Sequence, residues 1–258
     1  MLGTMNRPSR GANANQSVTD CAACPLRRLE AFVPMSQREV EFMRAFKSGE
    51  LSVARGTVIF EQGTQSPYLF TVLDGFAIRY SVLPDGRRQV LNFVLKGELL
   101  GLQGEMLGEM QHTVEAVAPT RLCVFSRSRV WDMFTNVPER AYDLTWIAAR
   151  EESLLGDRLT SVGQMNGHER VAHALARLYM RGEALGMVED GRMPLPYRQR
   201  DLADGLGLSL VHTNKILRDF RERQIAGWRE RTLVVTDIEA LRDEGCIEED
   251  HLKPRPLI

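Results

Sequence analysis

Several features are missing from this 258-residue chain, and each absence excludes a class of protein. No apolar run approaches the roughly 20 residues of a membrane span, and the first residues hold no apolar signal-peptide core. The expected compartment is therefore the cytoplasm, where the four cysteines are more often free, metal-bound or redox-active than structural disulfides. The length suits two domains of ordinary size.

Catalytic signatures are also missing. The sequence has no P-loop, no GxSxG or HExxH motif and no pair of carboxylates in a catalytic arrangement, and its five histidines do not cluster. We therefore expect that the protein is not an enzyme. A net charge of −1 argues against a protein that coats nucleic acid through charge alone.

Two short amphipathic helix patterns joined by a tight turn occupy residues 197–223. Gly205 and Gly207 supply the backbone freedom of the turn, and Ser209 stands at the N-cap of the second helix. This layout is typical of a helix-turn-helix whose second helix reads a major groove. The apolar positions recur at helical spacing at Leu202, Ala203 and Leu206, then at Val211, Ile216, Leu217 and Phe220.

The second helix is expected to expose hydrogen-bonding side chains, which include Thr213. Asn214 can pair bidentately with adenine and Lys215 can donate to guanine, each worth about 1–3 kcal/mol of discrimination. Exposed arginines are suited to phosphate contacts, and such contacts increase affinity for DNA without contributing to sequence specificity. The DNA-binding residues predicted from the pattern are Ser209, His212, Asn214, Lys215 and Arg218, with Arg198, Arg200 and Arg229.

A short β-hairpin with a basic tip is predicted for residues 225–235, as in the wing of a winged helix. Residues 196–235 carry eight Arg/Lys against five Asp/Glu, whereas residues 236–258 carry three against seven. This local basic excess favours site-specific DNA binding over the alternative, a packed pair of helices that touches no DNA.

Short β-prone runs separated by glycines fill residues 46–126, after a short helix at 36–46. They predict a closed or rolled antiparallel sheet. Asp85-Gly86 is the clearest hairpin turn in the chain.

A long helix with one apolar stripe is predicted for residues 138–162. It is either a core helix or a coiled-coil seam with a second copy. Its place between a β domain and a groove-reading domain favours the seam, because such domains work in two-fold pairs. Gly163–Gly167 is the expected hinge. The stripe consists of Leu144, Ile147, Ala148, Leu154, Leu155, Leu159 and Val162.

The N-terminal residues are polar and aperiodic, and we expect residues 1–20 to form a loosely attached arm. Cys21 and Cys24 form a CxxC motif. Two thiols at this spacing can bind one metal ion together, although a complete site needs four ligands. The predicted segments are an arm (1–34), a β-roll sensor (35–137), a dimerisation helix (138–163) and a winged-helix DNA-binding domain (164–258).

The order of these segments resembles the CRP/FNR family of bacterial transcription regulators, over about residues 35–245. The resemblance rests locally on three sequence motifs, Gly97-Glu-Leu-Leu-Gly101, Gly167-His-Glu-Arg-Val-Ala172 and Leu202-Ala-Asp-Gly-Leu-Gly-Leu-Ser209. The resemblance implies an α+β fold with an antiparallel β-roll like a cyclic-nucleotide-binding domain, a long dimerisation helix and a C-terminal winged helix-turn-helix. It also implies a homodimer on a palindromic promoter site that contacts RNA polymerase.

The same resemblance implies base contacts early in the recognition helix, at Leu210 and Val211 as well as Asn214 and Lys215. Val211 replaces the family's usual base-reading glutamate, so the family's half-site sequences do not transfer. Leu102 replaces the glutamate that takes the ribose in cyclic-nucleotide-binding members.

Members that bind cyclic nucleotides carry Arg-Ser or Arg-Thr, whose arginine neutralises the phosphate, and this chain has His112-Thr113 there. Without the carboxylate and the fixed cation the nucleotide loses its anchor, so we do not expect cyclic AMP or GMP. His112 is then a hydrogen-bonded structural residue, a pH-sensitive group or a ligand.

Oxygen-sensing FNR proteins hold an iron–sulfur cluster, and the resemblance assigns Cys21, Cys24 and Cys123 as candidate ligands. Glu30 stands near the family's third N-terminal cysteine, and it or His112 is a weak fourth candidate. Three alternatives stay open: a thiol-disulfide switch between Cys21 and Cys24, a sensor module without DNA binding, and a regulator controlled only by its abundance.

Overall fold

A computed structural model describes residues 18–248 and 253–258, so most of the predicted N-terminal arm lies outside the described residues. In these two ranges no helix has the length and apolar content needed to cross a bilayer. The helices are α1 (Gln37–Phe46), α2 (Leu102–Leu107), α3 (Trp131–Asn136), α4 (Pro138–Gln164), α5 (Gly167–Ala184), α6 (Gln199–Leu206), α7 (Leu210–Glu222) and α8 (Ile238–Glu244). The strands are β1 (Lys47–Val53), β2 (Val58–Phe60), β3 (Tyr68–Asp74), β4 (Ala77–Val82), β5 (Arg88–Val94), β6 (Leu99–Leu100), β7 (Thr113–Ala116), β8 (Thr120–Ser126), β9 (Arg192–Pro194), β10 (Ala226–Arg229) and β11 (Thr232–Val235).

The predicted antiparallel roll is present as two four-stranded sheets, in the orders β1-β8-β3-β6 and β2-β7-β4-β5. All of their strand pairs are antiparallel. The hairpin predicted at Asp85-Gly86 joins β4 to β5, with Gly86 at φ +84°. The short helix α2 interrupts the β region and was not predicted. One cluster of buried apolar side chains is shared by the two sheets: Phe60, Phe70, Val72, Ala77, Val94, Leu100, Met110, Val114 and Leu122.

The other face of the first sheet packs against the N-terminal segment. Side chains directly opposite each other on neighbouring strands share a face, which places Glu50, Cys123 and Thr71 in one row across β1, β8 and β3. On the same sheet Phe125 stacks on Phe46 of α1, with ring centroids 5.2 Å apart. This face is therefore a second hydrophobic layer, outside the roll.

Helix α4 carries the expected apolar stripe on one face, and the exposure of that stripe changes along the helix. Leu144 is buried against the rest of the chain, and Ile147 is half-buried. Leu155, Leu159 and Val162 are 49%, 77% and 36% exposed. The difference arises along the helix: the N-terminal part of the stripe packs against the rest of the chain, and the C-terminal part is left open.

The break after α4 is shorter than predicted. Gly163 still belongs to α4, and Gly167 is already the first residue of α5. Asn166 caps α5 by accepting from the amides of His168 and Glu169, while the Glu169 carboxylate accepts from the Asn166 amide. This capping box starts a new helix and so limits the break to residues 165–166.

The C-terminal region is a winged helix. The hairpin of β10 and β11 was predicted, and its turn places Glu230 and Arg231 at φ +49° and +62°. Positive φ at both central residues matches the right-handed twist of the strands. A third strand, β9, which the sequence pattern did not predict, pairs with β11.

Candidate nucleic-acid interface

The turn between α6 and α7 is built much as the sequence predicted. Gly207 ends α6 in the left-handed conformation, at φ +64°, which glycine adopts without strain. The Ser209 hydroxyl accepts from the amide of His212 at 3.1 Å and caps α7. Gly205, predicted to share the turn, lies instead inside α6. One glycine therefore makes the turn.

Helix α7 presents one face to solvent and buries the other. Val211 is 81% and Leu210 42% exposed, and Asn214 and Lys215 are also exposed. Thr213 was expected on this open face and is wholly buried, because it shares the inner face of α7 with Ile216 and Phe220. Its hydroxyl donates to the Ser209 carbonyl at 3.1 Å, so the buried oxygen has a partner. The buried side is formed by Thr213, Ile216, Leu217 and Phe220. His212 and Arg218 are exposed as predicted.

The arginines predicted for phosphate contacts are exposed. Arg198 and Arg200 stand at the start of α6, and Arg229 ends β10 beside the tip of the wing. Arg218 has a long contact of 3.9 Å with Glu222 on its own helix. Such an exposed i,i+4 pair contributes little, so all four guanidinium groups are available to an anionic partner.

Contacts between the β-roll and the winged helix were not predicted. Arg88 of β5 reaches Asp201 and Asp204 of α6 at 2.5 and 2.8 Å. The Tyr197 hydroxyl donates to the Val94 carbonyl at 2.7 Å. Sequence patterns of period 2 and 3.6 identify elements but not which elements meet, so no local signal marks these contacts.

A small cavity of about 40 Å³, lined by charged and polar side chains together with leucines, lies between the β-roll and α4. Arg79 of β4 binds Glu151 of α4 at 2.5 Å, and Arg158 donates to the Asn92 side chain at 2.8 Å. Burial, together with the nearby Arg181, lowers the pKa of Arg158 to about 10. Charged hydrogen bonds across the cavity thus connect the β-roll to the long helix α4.

His112 lines the same cavity and is buried. Burial, assisted by the charge of Arg79, lowers its pKa to about 3. The imidazole is therefore neutral at physiological pH, which removes its role as a pH-sensitive group there. Leu102, at the position of the ribose-binding glutamate in cyclic-nucleotide binders, packs against the hydrophobic core.

The three cysteines predicted as metal ligands lie around Lys47. Burial is the main reason that the pKa of Cys123 is raised to about 11. The charge of Lys47 lowers this pKa, and the neighbouring Cys24 and Cys21 raise it further. Glu30 is exposed, and His112 belongs to the separate cavity. Within residues 18–248 and 253–258, no three His, Cys, Asp or Glu side chains are grouped as metal ligands.

The geometry described above agrees with comparisons to known proteins. Residues 50–136 match the family model of the cyclic nucleotide-binding domain, and residues 169–244 match that of the Crp-like helix-turn-helix domain. The nitrogen fixation regulation protein FixK of Rhizobium meliloti is 30% identical over 189 residues, covering 72% of this chain and 82% of its own. The transcriptional activator protein FnrL of Cereibacter sphaeroides is 25% identical over 240 residues, covering 89% and 93%.

Among solved structures, FixK2 from Bradyrhizobium japonicum has a TM-score of 0.69 and 26% identity, covering 78% of this chain and 98% of its own. The two family models match in the same order as the β-roll and the winged helix of this structure, and the two relatives align over most of their own length. The chain belongs to the CRP/FNR family of DNA-binding transcription regulators.

Proposed function

We propose that this protein binds a palindromic promoter site as a homodimer, contacts RNA polymerase there, and responds to a redox, oxygen or small-molecule signal. The observation that carries the proposal is the open face of α7, where Asn214 and Lys215 are exposed beside Leu210 and Val211. A face that served only packing would be buried or would carry an ordinary Glu/Lys mixture.

Base recognition is assigned to Asn214 and Lys215, each worth about 1–3 kcal/mol of discrimination. Ser209, Leu210, Val211 and His212 line the same end of α7, and the apolar pair suits a thymine methyl group. The phosphate contacts are assigned to Arg198, Arg200, Arg218 and Arg229.

The homodimer is assigned to the exposed C-terminal part of the apolar stripe on α4. Leu155, Leu159 and Val162 follow the alternating three- and four-residue spacing of a coiled-coil seam. A second copy on this face covers apolar surface that the chain itself leaves exposed. It also places two recognition helices about 34 Å apart, one turn of duplex DNA.

DNA recognition is tested with duplexes selected from a random library by the wild-type protein. The double variant Asn214→Ala/Lys215→Ala should lose about tenfold or more in its preference for the selected site, with a smaller loss on random duplex. Arg221→Ala is the matched control, because this exposed arginine lies in the last turn of α7. Equal affinity of wild-type protein for every duplex would favour the sensor-only alternative.

The signal enters through the β-roll in this proposal. The cavity that holds Arg79 and Arg158 connects β4 and β5 to α4, so a molecule that alters these pairs shifts the long helix and the domain that follows it. Arg79 Nε and the side-chain oxygen of Gln103 are buried there without a protein partner among the described residues. A ligand with both an acceptor and a donor satisfies them.

An iron–sulfur cluster does not fit the described arrangement. Cys21, Cys24 and Cys123 share one neighbourhood but are not grouped as ligands, and Lys47 lies among them. The cluster therefore stays a prediction that requires this region to rearrange. Protein isolated without oxygen tests it: visible absorption with stoichiometric iron and sulfide supports the cluster, and colourless, iron-free protein that binds DNA equally in air excludes it.

A further inference from the structure

The segment after α8 returns to the β-roll. Residues 253–258 run beside the N-terminal segment, and Arg255 forms a parallel β-bridge with Phe32. The Val33 amide donates to the Arg255 carbonyl and the Arg255 amide to the Ala31 carbonyl, both at 2.9 Å. Such paired backbone bonds fix the register of an extended segment.

The side chain of Arg255 fastens the middle of this segment. Its guanidinium lies over the Phe32 ring, 5.0 Å from the centroid, and donates to the Lys96 carbonyl at 3.2 Å. Gly97 is the next residue, and an added Cβ there would lie 3.2 Å from the guanidinium and closer still to Phe32. Because Gly97 has no side chain, the loop leaves room for the Phe32 ring and for the guanidinium of Arg255.

The last residues lie on the outer face of the first sheet. Leu257 and Ile258 are only 4% and 5% exposed. Arg140 of α4 donates to the Leu257 carbonyl at 3.1 Å, and the Thr71 hydroxyl donates to the Ile258 carbonyl at 2.5 Å. Thr71 is the direct neighbour of Cys123 across β3 and β8. The segment therefore reaches the row of side chains that contains Cys123.

We propose that residues 253–258 act as a strap: they occupy this groove on the β-roll and hold the winged helix in one orientation relative to the roll and α4. The strap is continuous in sequence with the winged helix, so it adds an attachment to the β-roll beyond the break at residues 165–166 and the Arg88 and Tyr197 contacts. While it is seated it covers Cys123, and its release uncovers that thiol and loosens the pairing of the two recognition helices.

The proposal is tested first by thiol labelling of the full chain. Leu257→Asp places a carboxylate in the apolar groove, and Lys253→Asp places the same group on an exposed residue of the same segment. With N-ethylmaleimide and peptide mass spectrometry, Cys123 should label about tenfold faster in Leu257→Asp than in wild type and unchanged in Lys253→Asp. The exposed Cys246 is the internal reference.

Removal and rescue guard against misfolding of the point variant. A chain shortened after residue 252 should label rapidly at Cys123, and a synthetic peptide of residues 253–258 should restore slow labelling, whereas the same peptide with Leu257→Asp should not. Equal labelling of Cys123 in wild-type, Leu257→Asp and shortened protein, or failure of the peptide to protect Cys123, contradicts the proposal that the strap covers this thiol.

The link to DNA is measured separately on a duplex selected by the wild-type protein. Release of the strap should weaken DNA binding about tenfold. Without the strap the two recognition helices are no longer held in a fixed relative orientation, so part of the binding free energy is spent on ordering them. Unchanged or tighter binding by folded Leu257→Asp protein overturns the orienting role. Labelling and peptide protection need no DNA, so they stand or fall independently of the proposed function.

Discussion

Arg88 and Asp201 lie 113 positions apart in the chain and form an ion pair of 2.5 Å between β5 and α6. The Asp201 side chain is only 6% exposed, and its second oxygen accepts from the Arg198 amide at the start of α6. The same carboxylate thus begins the first helix of the helix-turn-helix and attaches that helix to the β-roll. A change in the β4–β5 hairpin reaches the DNA-binding domain through it.

Replacing Arg88 should destabilise this junction. Arg88→Gln leaves the buried Asp201 without its cation, and we expect a loss of about 1–3 kcal/mol in the free energy of unfolding. The measurement is urea denaturation followed by circular dichroism. Arg87→Gln is the control, because Arg87 is 77% exposed and its ion pair is with Asp85 in the same turn. Equal stability of the two variants contradicts a structural role for the Arg88 pair.

Helix α4 should mediate self-association. Leu159 is 77% exposed in the single chain, and Leu159→Asp places a charge in the proposed seam. We expect sedimentation velocity to show a dimer for wild type and a monomer for this variant. Thr160→Asp adds the same charge at an exposed position outside the seam spacing and should remain dimeric. A monomeric wild type would falsify the homodimer.

The cap of the recognition helix should stabilise the winged helix. Ser209→Ala removes the oxygen that accepts from His212, and such a loss costs about 1 kcal/mol. Thermal and urea unfolding measure it. Ser153→Ala, an exposed position inside α4, should change stability by no more than about 0.5 kcal/mol. A Ser209→Ala protein as stable as wild type shows that the cap is dispensable.

His112 should make the protein sensitive to acid. Its pKa is lowered from 6.5 to about 3 in the folded state, mainly by burial. Below pH 6.5 the unfolded chain binds a proton that the folded chain does not, so stability falls as the pH drops towards 3 and is unaffected above 6.5. The contribution is at most about 1.4 kcal/mol per pH unit.

The test compares urea unfolding at pH 7, 6, 5 and 4. His112→Gln should show a shallower loss of stability on acidification than wild type. His212→Gln alters an exposed histidine and should keep the wild-type slope. Parallel slopes for wild type and His112→Gln mean that the imidazole is solvated or protonated within the fold.

Local patterns predicted much of the DNA-binding domain. Ser209 and Gly207 identify the turn because a capping hydroxyl and a left-handed glycine act over a few residues, and α7 follows the 3.6-residue period. Thr213 was misplaced because its polar side chain suggested an exposed residue, whereas its spacing from Ile216 and Phe220 puts it on the buried face, where its hydroxyl donates to the Ser209 carbonyl. Glycine spacing likewise identified the β-roll but missed α2, which is only six residues long.

Sequence alone determined the segment order, the antiparallel roll, the long helix and the helix-turn-helix, because periodicity, turns and caps are properties of neighbouring residues. Only the tertiary structure decided which surfaces meet. It paired Arg88 with Asp201, buried one end of the α4 stripe and left the other exposed, isolated His112 from the cysteines and seated Leu257 on the β-roll. These contacts join residues far apart in the chain, and burial and charge select them only once the whole fold has closed.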